Sequence, residues 1–168
     1  EALPAGSIDR TIAWLGRIIC WCVPAMALLV LIIVVLRYGF NTGAIAAQES
    51  VQYLHATVFM LGAAVTLGAD QHVRVDIFYR GFSARQKAWV NILGHIVFTL
   101  PVCGLIGWGS LDYVLDSWSA REASPEPGGL PFVFLLKTLI PVMALLLALQ
   151  SLAQCRRALS ALQRGNAS

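Results

Sequence analysis

Long apolar runs alternate with short polar interruptions along this chain, and the runs have the length of bilayer crossings. The first, Ile18 to Leu36, holds 19 residues without a charge. At about 1.5 Å per residue a helix of that length covers roughly 29 Å, close to the thickness of a hydrocarbon core. Ser7 is the expected cap of a helix opening Ile8-Asp9-Arg10, and Pro24 is a kink point within the first crossing. Arg37-Tyr38-Gly39-Phe40-Asn41-Thr42-Gly43 ends the run, because two glycines and an asparagine read as a helix stop. A second helix restarts near Ala44 and continues to about Gly68. Its first turns carry Gln48, Glu49, Gln52 and His55, so an interfacial entry is expected before the chain enters the membrane.

Gly62 to Arg80 passes from apolar residues into a dense polar clasp: Asp70, Gln71, His72, Arg74 and Asp76, with Val73, Val75 and Ile77 interleaved. A chain leaving lipid needs such a transition, since backbone and charge regain water only at the headgroups. Ser83 with Gln86 fits a Ser-x-x-Gln capping box, which starts a third helix running to about Leu115. Gly94, Gly104, Gly107 and Gly109 lie on it as points of close helix contact. Asp112 to Leu130 is the longest polar stretch, with Pro125-Glu126-Pro127-Gly128-Gly129 as its turn-rich part. A fourth helix follows from Pro131, interrupted by Lys137 and Pro141, and ends in a basic tail. The pattern predicts an all-α membrane protein of one domain over residues 1–168. Its four transmembrane helices are expected at about 12–38, 45–69, 84–115 and 131–153.

Composition agrees. The chain is 58% hydrophobic and 12% charged, whereas a soluble domain carries about 25% charged residues. Lipid as solvent accounts for the deficit. Cys20, Cys22, Cys103 and Cys155 lack zinc spacing and read as small hydrophobes. Charge placement sets the orientation. Arg10, Arg17, Arg74, Arg80, Arg85, Lys87, Arg156, Arg157 and Arg164 fall on one side; Arg37, Arg121 and Lys137 fall on the other. Both termini and the clasp are therefore expected in the cytoplasm.

No catalytic constellation stands out. There is no Ser-His-Asp spacing, phosphate loop or intramembrane carboxylate pair, so an enzyme is not expected. The basic residues are dispersed at membrane borders, which argues against nucleic-acid binding. His55 and His95 differ in expected depth by roughly 9 Å, awkward for two ligands on one iron. Polar glue between helices is the expected role of both. Lys137, near the outer face, either snorkels to the interface or pairs with an acid on a partner subunit. Arg37 and Glu49 bracket the outer turn and are placed to pair as a structural pin. Asp70, Arg74 and Asp76 form either a solvated turn or a docking element.

Together these residues resemble the small membrane subunit of tripartite ATP-independent periplasmic (TRAP) transporters. Arg37-Tyr38-Gly39-Phe40-Asn41 is similar to the family's Arg-Tyr-x-Phe-Asn at the end of the first helix. Glu49 falls where the family has an acidic pair, of which this chain keeps one member. Gly62-Ala63-Ala64 followed by His72-Val73-Arg74-Val75-Asp76 is the most specific match. The resemblance runs from about Trp14 to Gln150. Ser124 to Pro131, followed by Phe134-Leu135-Leu136-Lys137, resembles a branch associated with 2-oxo acids or related organic acids.

The resemblance implies a subunit of the bacterial inner membrane that anchors and widens a large transport subunit without carrying substrate. The large subunit would move an organic anion with sodium ions, delivered by a soluble periplasmic binding protein. Membrane lipids are the other expected partners. No cofactor is expected in this chain, the sodium ions belonging to the large subunit. Arg37, Asn41, Glu49 and Lys137 are expected to fix the outer edge, and His72, Arg74 and Asp76 the inner one. Two other classes remain at this point: a haem b-binding membrane anchor of a respiratory enzyme, and an autonomous small transporter.

Overall fold

The computed structural model describes residues 6–71 and 81–165, the last two as backbone only. The clasp residues His72, Arg74 and Asp76 lie outside the described residues. The elements are α1 (Ser7–Ile19), α2 (Cys22–Gly39), α3 (Ile45–Gly68), α4 (Ala84–Gly94), a π-turn (His95–Thr99), α5 (Leu100–Gly109), α6 (Leu111–Ser119) and α7 (Val133–Gly165). Four helical stretches are long and apolar enough to cross a membrane: Ser7–Gly39, Ile45–Gly68, Ala84–Ser119 and Val133–Gln163. No strand occurs among the described residues.

The first of these stretches breaks at Cys20 and Trp21, and Pro24 explains where. A proline offers no N–H to the carbonyl four residues back and crowds it. That carbonyl belongs to Cys20, which instead accepts from Val23 N–H at 3.3 Å. α2 alone, 18 residues long, covers roughly 27 Å and suffices for the crossing. α1 is thereby freed from spanning. It is amphipathic, with Ile12 and Ile19 buried while Arg10, Trp14 and Arg17 stay exposed. It packs on α3 and α7 near the end of the molecule that carries the termini. The sequence-based helix over about 12–38 is thus two helices. Its cap is also displaced: the N-cap is Gly6 rather than Ser7, and Asp9 Oδ2 accepts the Gly6 N–H at 3.0 Å.

A second proline shapes the third crossing. Pro101 cannot donate to Val97, and the helix widens just before it into the π-turn, where Leu100 N–H reaches His95 O. The capping box at Ser83 forms as its spacing predicts, with Ser83 N–H to Gln86 Oε1 at 2.8 Å. Non-glycine residues in the left-handed region close three helices: Asn41 after α2, Asp70 after α3 and Arg121 after α6. Around Asp70 the bonds Gln71 N to Thr66 O and Asp70 N to Leu67 O make a Schellman motif.

The four crossings form an open row rather than a closed bundle. α3 and α7 make the central pair; α2 packs on α3, and α4 through α6 pack on α7. Few side chains are fully buried, and α2 has none. The row therefore presents wide apolar faces, as a chain solvated by lipid and protein neighbours does. α3 is unbroken from Ile45, and the separate amphipathic segment is α1.

Candidate functional site

Polar contacts between helices gather at the two ends of the row. At the terminal end the focus is Asp9. Its Oδ1 lies 2.5 Å from Arg157 Nη1 and accepts from Gln150 Nε2 at 2.9 Å. Gln150 is fully buried. α3 approaches α7 closely here because Gly68 has no side chain; a Cβ there would sit 3.1 Å from Gln150 Nε2. One turn further along α7, Gln154 donates through Nε2 to Leu67 O, at the end of α3. Its Oε1 lies 2.9 Å from His95 Nε2. The carbonyl acceptor fixes the amide's orientation, so Gln154 Oε1 must accept, and His95 carries its proton on Nε2. One glutamine thus joins three crossings.

At the opposite end, Glu49 points from α3 into the loop between α6 and α7. Leu130 N–H donates to Glu49 Oε2 at 2.6 Å, and the Ser124 hydroxyl donates to Oε1. The same hydroxyl accepts Glu126 N–H at 3.1 Å, and Ser124 N–H donates to Leu130 O at 3.0 Å. Gly129 permits the close approach, since a Cβ there would lie 2.7 Å from Glu49 Oε1. A second clip lies beside it. Lys137 Nζ pairs with Glu122, which also accepts from Ser117 Oγ at 2.6 Å. The ammonium sits 3.9 Å from the Tyr113 ring centroid. The Lys137 and Ser117 donors hold the Glu122 carboxyl below the usual glutamate range. Trp118 Nε1 donates to Thr138 Oγ1 at 2.8 Å and ties α6 to α7.

These contacts revise several sequence-based expectations. Glu49 does not pair with Arg37: its oxygens are taken by the loop, and Arg37 has no acidic partner among the described residues. Arg37 and Asn41 instead border a cleft of about 260 Å³ with Thr42, Gly43, Ala44 and Gln48. The acid facing Lys137 is supplied by this chain, not by a neighbour. Asn41 serves the backbone, taking the left-handed conformation that ends α2. His95 is polar glue between helices, but His55 is exposed and stacks on Phe59. His95 is linked through Gln154 to Leu67, which lies twelve residues, roughly 18 Å, from His55 along α3. The two histidines are not placed to share an iron.

The expected glycine contacts are also revised. Only Gly107 of the four meets another helix, its Cβ position lying 3.6 Å from Ala144; the positions of Gly94, Gly104 and Gly109 face open space. The tight approaches occur at Gly16 and Gly68, which the sequence reading did not single out. It missed the Asp9 clamp as well. The signal was present: Gln150, Gln154 and Arg157 recur at helical spacing on one face, visible once the fourth helix is carried past Gln150.

Four crossings in an open row, with both ends clipped by this chain's own residues, describe a membrane component. No solved structure matches the chain. A protein from Haemophilus influenzae, named as a proposed TRAP transporter small permease protein, is 31% identical over 118 residues, which is 69% of this chain and 73% of that one. Residues 26–161 match the profile of the family described as tripartite ATP-independent periplasmic transporters, DctQ component. The chain therefore belongs to the DctQ family of TRAP transporter components, as a small permease subunit and not an enzyme.

Proposed function

We propose that this subunit is the footing of a sodium-coupled, binding-protein-dependent organic-acid importer in the bacterial inner membrane. It holds a large membrane subunit at fixed depth and tilt and does not carry substrate. Both termini lie in the cytoplasm, and a periplasmic protein delivers the anion to the large subunit.

One observation carries the reading: the open row is clipped at both ends by side chains of this chain itself. Asp9, Gln150, Arg157 and Gln154 make their inter-helix polar contacts toward one border; Glu49, Ser124, Glu122 and Lys137 make theirs at the other. Between these borders α5 meets α7 through Gly107 and Ala144. An ion path would call for converging oxygen ligands or interrupted helices facing each other at mid-depth. A flat element fixed at both membrane borders suits a support against which another subunit moves.

Reconstitution tests this. Liposomes holding this chain alone should take up no organic anion under an inward sodium gradient. Liposomes holding it with its large subunit, supplied with the binding protein, should take it up. Uptake by the isolated chain would overturn the reading. So would full transport by the large subunit without it.

A further inference from the structure

α3 exposes a polar ladder where a lipid-facing helix has no use for one. Gln48, Gln52 and His55 are all exposed and recur at spacings of four and three, so they share one face. Phe59, 72% exposed, and Gly62 and Thr66 continue the same face. None of the three polar side chains makes a hydrogen bond among the described residues. The next residue after Gln48, Glu49, points elsewhere and is fully engaged by the loop. His55 lies ten residues from the start of α3 at Ile45, roughly 15 Å along the helix. A histidine or glutamine side chain is too short to snorkel that far. Hydrocarbon offers these groups no partner, and leaving them unmet is costly.

Arg37 stands at the top of the ladder, bordering the same cleft as Gln48. It is exposed and has no acidic partner among the described residues, while Glu49 is engaged by the loop and Glu122 by Lys137. On this face the charge without an acidic partner among the described residues is Arg37, and the neutral groups without a hydrogen bond there are two amides and an imidazole.

We propose that this face of α3, with Arg37 above it, is where a transmembrane helix of the large subunit docks. That helix brings a carboxylate opposite Arg37 and hydrogen-bonding side chains opposite Gln52 and His55. Phe59 packs below them, and Gly62, whose Cβ position meets nothing within 4 Å, admits close approach of the two backbones. The proposal rests on the reading that the chain supports a large subunit, and it names the face that does so.

The test uses the full chain co-expressed with its large subunit. A photo-crosslinking residue replaces Gln52 or Phe59 in separate variants. Controls carry it at Leu105 and Trp108, 76% and 81% exposed on the third crossing. Irradiation should join positions 52 and 59 to the large subunit and leave 105 and 108 free of it. Separately, Gln52→Leu combined with His55→Leu should lower co-purified large subunit roughly tenfold, since interhelical hydrogen bonds are modest individually. Arg37→Leu should act in the same direction. Thermal unfolding of the isolated subunit should fall little in these variants, because among the described residues the side chains make no hydrogen bond or ion pair and His55 only stacks on Phe59. Adducts from 52 and 59 only to lipid, or to a second copy of this chain, would overturn the proposal, as would unchanged co-purification of the variants. If the wild-type chain fails to co-purify at all, the supporting role itself falls, and the two failures are thereby told apart.

Discussion

Arg157, late in α7, meets Asp9 in the first turn of α1, with Nη1 and Oδ1 2.5 Å apart and residues 148 positions distant in sequence. The contact closes the chain on itself at the terminal end. It also orders an amphipathic helix that the bilayer crossing does not need. Asp9 makes three kinds of contact at once: it caps α1 through Gly6 N–H, accepts from buried Gln150, and pairs with Arg157.

That concentration makes Asp9 more sensitive than its partner. Its side chain is 12% exposed, against 33% for Arg157. Asp9→Ala removes the cap, leaves the Gln150 amide unmet and strands a guanidinium, at a cost of about 2 kcal/mol. Arg157→Met keeps the apolar stem packed and loses the ion pair alone, for about 1 kcal/mol or less. Thermal unfolding in detergent should rank the variants in that order, with proteolysis of α1 rising in parallel. Equal destabilisation by the two would show that the ion pair, and not the three-way contact, sets the stability.

Glu49 predicts a local effect at the opposite end. Both its oxygens accept, one from Leu130 N–H and one from the Ser124 hydroxyl. Glu49→Gln keeps one acceptor for Leu130 N–H, forces the Ser124 hydroxyl to accept instead of donate, and replaces charge-assisted bonds by weaker neutral ones. The loop 120–131 should loosen while the four crossings stay folded. Limited proteolysis reports this: loop cleavage should quicken in Glu49→Gln and quicken further in Glu49→Ala, with helicity by circular dichroism unchanged. Loss of helicity would mean that the loop clip holds the crossings together.

The Glu122–Lys137 pair predicts a pH dependence of defined sign. Lys137 and Ser117 lower the Glu122 carboxyl below its ordinary value of 4.5. A carboxylate lowered on folding adds stability that is fully present above the unfolded-state value. That stability is lost as pH falls through the folded-state value. Stability should therefore decline below about pH 4.5, and Glu122→Gln should flatten that limb while leaving the neutral-pH slope alone. Denaturation in detergent between pH 6 and 3 measures it. An acid limb unchanged in Glu122→Gln would assign it to other carboxylates.

How much of this was legible in the sequence depended on range. Run length fixed the crossings, because a bilayer imposes one thickness and every backbone group must be bonded within it. The capping box at Ser83 was legible because its partners are three residues apart. The break at Cys20–Trp21 was half legible: Pro24 marked a disturbance, but whether it bends or divides a helix depends on what α1 packs against. Glu49 looked toward Arg37 because both flank one short turn. Its true partners, Ser124 and Leu130, lie 75 and 81 positions away, beyond what local spacing can convey. Lys137 is a nearer case: its expected fates were snorkelling to the interface or an acid on a neighbour, whereas its partner, Glu122, lies fifteen positions away in this chain. Spacing grouped Gln48, Glu49 and Gln52 on one face of α3; the packing turns Glu49 into the loop and leaves Gln48, Gln52 and His55 facing outward.

Gly16 supplies the last prediction. A Cβ there would lie 2.8 Å from Val65 Cγ1 and 3.3 Å from Cγ2, so α1 and α3 approach closely at this point. Two terms oppose each other in Gly16→Ala. Alanine favours the helix by about 1 kcal/mol over glycine, while overpacking against a stiff β-branched neighbour costs about 1–3 kcal/mol. Val65 is held by both its χ1 preference and α1 itself, so overpacking should win and Gly16→Ala should destabilise modestly. Val65→Ala alone should also destabilise, by opening a gap. Combined, the two should recover stability beyond the sum of the single effects, because the new methyl fills the space the valine leaves. Thermal unfolding of the four species in detergent completes the cycle. Additive losses would mean that α1 and α3 do not press together at this point.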